Sequence, residues 1–142
     1  MPQKFRAAIL LVGGALLVAL GLLHLAVTPI IDRLLRRGMT AEAADWLVAP
    51  MLLNHVVVGF LPLPLGVLTF YAAPHAASGA RWANVVVRVA AVAVATLPMA
   101  LFALMGARYF EAVPFVAATV IVCLAAVVLL VAAFWPARRA TS

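Results

Sequence analysis

The chain has 142 residues, 68% of them hydrophobic and only 10% charged, with a mean hydropathy of +1.22. A soluble domain of this size carries about a quarter charged residues, because its surface faces water. Ten Lys and Arg with four Asp and Glu exclude such a surface, so lipid is the expected solvent. The net charge of +6 and the pI near 11.2 do not imply nucleic acid either. Lys4, Arg6, Arg33, Arg36, Arg37, Arg81, Arg88, Arg108, Arg138 and Arg139 flank apolar runs, as head-group anchors do, and form no basic face with interleaved aromatics.

The first apolar run covers residues 7–31, longer than the roughly 7–15 residues of a signal-peptide core, and is expected to stay as a helix. The segment that follows, 32–45, extends this helix to Gly38, a helix-ending glycine. Thr40 then caps the next helix, with Glu42 and Asp45 favouring its positive end. The second run is 46–72. The turn APHAASGAR, 73–81, places His75 in a solvated loop and leads to the third run, 89–107. RYFEAVP connects to the fourth run, 112–135, with Pro114 in its first turn. Tyr71, Tyr109, Trp46, Trp82 and Trp135 fall near the expected interfaces.

Each run contains no Asp, Glu, Lys or Arg and approaches or exceeds the roughly 20 residues that cross the hydrocarbon. The expected architecture is one all-α domain, 1–142, an integral membrane four-helix bundle running antiparallel up-down-up-down. The basic residues divide as Lys4, Arg6, Arg81, Arg88, Arg138 and Arg139 on one side, against Arg33, Arg36, Arg37 and Arg108 on the other. That excess predicts cytoplasmic N- and C-termini.

At about 100° per residue the non-oily residues of each run fall on stripes. The first carries Gly14, Gly21, His24 and Thr28; the second Met51, His55, Gly59, Pro62, Gly66 and Thr69. The third carries Asn84, Arg88, Ala95, Met99 and Gly106, and the fourth Thr119, Cys123, Ala126 and Ala133. Small residues let membrane helices approach closely, so these stripes are expected to face inward, whereas Leu129 falls outside them. Pro62 and Pro64 free the carbonyls of Val58 and Phe60, which need a partner at membrane depth, unless the prolines serve only as kinks.

His24 and His55 then lie at matched depth, about 10–14 Å below one interface, with Met99 and Thr119 level with them and Cys123 about one turn deeper. Asn54 points to the side of His55. Three uses compete. The imidazoles are structural, bonded across helices to Thr28, Thr119 or a freed carbonyl, in an accessory membrane subunit without cofactor. Alternatively they bind haem b, with Met99, Thr119 and Thr28 as walls, or copper through His24, His55, Met99 and Cys123. The third use is a small-molecule carrier or membrane enzyme acting on a lipid or quinone. No HxxxH or CxxC motif occurs, no carboxylate lies within a run, and Ser78 and Ser142 lie outside them, so no catalytic motif is recognised. The expected partners are the lipid bilayer and either further copies of the chain or other membrane subunits.

Overall fold

The computed structural model describes residues 2–106 and 113–135. Among them the chain is all-α, with helices α1 (Gln3–Ala26), α2 (Thr28–Gly38), α3 (Ala41–Phe60), α4 (Pro62–Ala77), α5 (Arg81–Met105) and α6 (Val113–Phe134).

Two of the junctions are bends rather than turns. Val27 keeps right-handed helical torsions, φ −84° and ψ −4°, and bonds Val27 N–H to Leu23 O and Ile31 N–H to Val27 O carry the ladder from α1 into α2. Pro29 has no N–H for the carbonyl of Leu25, and this weakens the helix at that point. Leu61 likewise stays helical, φ −59° and ψ −42°, with its N–H on Val57 O; Pro62 and Pro64 break the ladder there. Thr40 caps α3 as its sequence predicts, its hydroxyl accepting from Ala43 N–H at 3.3 Å.

The expected four-helix up-down-up-down bundle is corrected by these helices. Among the described residues three stretches are long and apolar enough to cross a membrane: Gln3–Ala26, Ala41–Ala77 and Arg81–Leu104. The run expected at 46–72 belongs to a bent stretch of 37 residues, about 55 Å of helical rise against roughly 30 Å of hydrocarbon. The run expected at 7–31 stops short at Val27. The fourth run corresponds to α6, Val113–Phe134, whose described apolar stretch is Thr119–Phe134. Periodicity finds apolar faces but not how far a proline-bent helix continues past its most apolar window. His75 is corrected too, since α4 continues through it and ends at Ser78, where the Ser78 hydroxyl and Ala80 N–H both donate to His75 O at 2.9 Å. Gly79, at φ +95°, then turns the chain. Arg108, Tyr109, Glu111, Arg138, Arg139 and Ser142 lie outside the described residues.

α1 packs chiefly on α4 and also meets α3 and α6; α5 lies between α4 and α6, and α2 packs on α3. Two glycine pairs set the antiparallel approach of α1. A Cβ built on Gly66 would sit 2.7 Å from Gly14 O, and one on Gly21 would sit 2.8 Å from Gly59 O. No real side chain tolerates such contacts, so the backbones cross where the stripes predict. The buried core lies at the Arg6 end and is mostly alanine and valine, with Leu10, Leu17 and Leu129 as its largest members. Leu129 is fully buried, not peripheral as its place outside the stripes predicts. Many large apolar side chains stay outside, Leu53 at 65% and Leu104 at 86% exposure among them. Water would penalise that coat, and acyl chains would not.

Arg6 is the second large correction. It is 3% exposed and is not an outward head-group anchor. Its Nε donates to Ala132 O at 2.8 Å, Nη1 to Ala76 O at 2.6 Å, and Nη2 to Asn84 Oδ1 at 2.7 Å and Ala133 O at 3.3 Å. Ala76 lies in the last turn of α4, and Ala132 and Ala133 in the last turn of α6; the last carbonyls of a helix have no partner inside it and carry its negative pole. One guanidinium therefore joins three helix ends, those of α1, α4 and α6, and reaches α5 through Asn84.

Candidate functional site: a histidine pair beside an apolar cavity

His24 stands in the last turn of α1, immediately before the Val27 bend, and His55 in the second half of α3. The helix ends two residues beyond His24, so its carbonyl is open to side chains. The His55 ring uses it: Nε2–H donates to His24 O at 3.1 Å. The Thr28 hydroxyl donates more weakly to the same oxygen, at 3.4 Å. The imidazoles stack, with centroids 3.9 Å apart and planes 24° from parallel. Gly59 makes room for this: a Cβ there would lie 3.2 Å from His24 Cδ2 and 3.0 Å from Leu25 Cδ2.

Beside the stack lies a cavity of about 320 Å³, walled by Leu20, His24, Val58, Pro62, Leu97, Ala100, Leu101, Leu104 and Val122, with Asn54 and Thr119 as further polar residues. A second cavity of about 450 Å³ shares Val58, Pro62 and Leu97 with it and continues along Leu61, Pro64, Leu65, Ala93 and Thr96. Both lie along the α3–α4 junction at Pro62, opposite the part of α5 that carries its own proline, Pro98. Sizes of this order hold small ligands.

The structure thus brings together His24, His55 and Thr28, and puts Thr119 on the cavity wall shared with His24. Met99 does not join them; it is 71% exposed and outside both cavity linings. Cys123 is half-buried on α6 and also outside both linings. Asn54 is the polar residue that the helical stripes do not include. It is exposed in the middle of an apolar helix, lines the cavity, and makes no hydrogen bond among the described residues. Its sequence signal is a primary amide in an oily run, but its position about 100° around the helix from His55 predicts a different face.

Stacked imidazoles suit mutual packing better than joint ligation. A ring nitrogen's lone pair lies in the ring plane, so near-parallel rings at 3.9 Å aim their lone pairs side by side rather than at one ion. His55 Nε2 is committed to a carbonyl besides. Among the described residues no group of three or more His, Cys, Asp or Glu gathers where a metal would sit.

Comparison with known protein families, with characterised proteins and with solved structures returns no match. The functional assignment rests on the geometry.

Proposed function

We propose that this small integral membrane protein binds one lipid-like molecule, with a hydrogen-bonding head at His24, Asn54 and Thr119 and an apolar chain along the α3–α4 bend. The observation that carries this proposal is Asn54. An amide with no partner at membrane depth costs several kcal/mol in bare hydrocarbon, on the order of the full desolvation penalty, unless something bonds to it. A carbonyl- or hydroxyl-bearing head group, of a quinone or an acyl lipid, supplies that bond. The neighbouring cavity, nearly all aliphatic, offers the chain a place continuous with the head. The site has hydrogen-bonding groups, and we read it as a binding site.

The test is organic extraction and mass spectrometry of protein purified in mild detergent from native membranes, with an absorption spectrum of the same sample. A single co-purifying lipid or quinone class is expected, and it should be lost in Asn54→Leu while the protein remains folded. Equal retention by Asn54→Leu would overturn the assignment. So would a Soret band or stoichiometric copper, which would mean that the histidines leave their stack to ligate.

A further inference from the structure

A separate site lies at the opposite end, where Arg6 and Arg88 meet. Arg88 Nε donates to Ala133 O at 3.4 Å, the same oxygen that accepts from Arg6 Nη2 at 3.3 Å. Its guanidinium carbon lies 5.4 Å from the centre of the Phe134 ring. Two cations thus converge on one carbonyl. Arg6 spends its donors on helix ends and Asn84, and those negative poles answer its charge. Arg88 differs: it is exposed, and its terminal nitrogens have no partner among the described residues.

Among the described residues no carboxylate answers this charge. Asp32, Glu42 and Asp45 belong to α2 and α3, beyond the far end of α1 from Arg6, and Asp32 is already paired with Arg36 at 2.9 Å. Lys4 and Arg81 add further exposed positive charge beside Arg88's end of the molecule. Arg88 also lies about 10 Å inside the first residue of α5, within a membrane-crossing stretch. A charge so placed must pair or reach back to the head groups.

We propose that Arg88, held on the α6 end by Ala133 O and Phe134 with Arg6 behind it, binds the phosphate of an anionic phospholipid. The planar guanidinium fork matches two phosphate oxygens, and its fixed Nε leaves the terminal nitrogens facing outward. Reaching back towards the start of α5, the guanidinium approaches the level of a lipid phosphate, whose acyl chains extend along the exposed aliphatic face of α5. Free phosphate offers the same oxygens without that tether.

The experiment measures thermal unfolding of the full chain in detergent with added phosphatidylglycerol, phosphatidylcholine or inorganic phosphate. Phosphatidylglycerol should raise Tm, and the other two should not. Arg88→Gln should lose most of that rise, and Arg88→Lys part of it. Arg81→Gln, which removes the same charge at the same end, should keep it. Equal losses in Arg81→Gln and Arg88→Gln would mean diffuse surface attraction and overturn the site. A full rise with inorganic phosphate would overturn the lipid as its occupant. If Arg88→Gln does not fold, phosphatidylglycerol retained by Arg88→Lys relative to parent in native mass spectrometry decides the matter, and undiminished retention overturns the proposal.

Discussion

His55 donates its Nε2–H to the backbone carbonyl of His24 while the two rings stack 3.9 Å apart, so a side chain on α3 closes the open end of α1. The bond is one-sided: His55 supplies a proton, and His24 supplies a backbone oxygen and a flat surface. That asymmetry separates the two histidines by mutation. His55→Phe keeps a stacking ring and loses the donor, and is expected to cost about 0.6–1.5 kcal/mol, the range of cross-helix polar contacts and net hydrogen bonds. His24→Phe keeps both the carbonyl and a ring, and should cost less. Reversible unfolding in mixed micelles measures both. A larger loss for His24→Phe would show that its ring, rather than its carbonyl, holds the pair.

Gly21 and Gly59 are expected to reject leucine, each losing about 1–3 kcal/mol through overpacking. Met99→Leu, on the exposed face, serves as the neutral control. Leu129→Ala should lose more, about 2–5 kcal/mol, because the side chain is fully buried. Thermal melts of the four variants rank them, and a Gly21→Leu protein as stable as Met99→Leu would contradict the crossing of α1 over α3.

Arg6→Met should be the most damaging single change. It keeps an unbranched stem but leaves the Ala76 and Ala132 carbonyls without their buried donor, at about 1–3 kcal/mol for each unsatisfied group, and Ala133 with Arg88 alone. Arg6→Lys, with three donors on a flexible stem, should fall between. Chemical unfolding is the measurement. Parental stability in Arg6→Met would mean that the α4 and α6 ends find other donors.

Orientation follows from charge. The end that carries Arg6, Arg81 and Arg88 is expected to face the cytoplasm. A reporter fused at Lys4 and one inserted after Gly79 should both read cytoplasmic, and one inserted at Met39 should read external. The opposite pattern would reverse the protein in its membrane.

Composition by itself determined that the chain is helical and lives in lipid, because too few charges exist to coat it and unpaired backbone cannot face hydrocarbon except as helix. Its small-residue stripes also marked Gly14, Gly21, Gly59 and Gly66 as crossing points, since close approach leaves no room for a Cβ. Periodicity similarly placed His24 and His55 at one level, as rise per residue is constant along a helix. Only the tertiary structure decided how the helices end and bend. Pro29 and Pro62 remove one donor each without turning the chain, so sequence marks the break but not the angle, and the apolar run 46–72 is shorter than the 37-residue stretch Ala41–Ala77 that contains it. Burial of Arg6 was equally hidden. Its environment is made of carbonyls from Ala76, Ala132 and Ala133, residues with no side-chain signature, brought together from up to 127 positions away. The same holds for Asn54, whose cavity is walled by residues from α1, α3, α4, α5 and α6 that only the packing brings together.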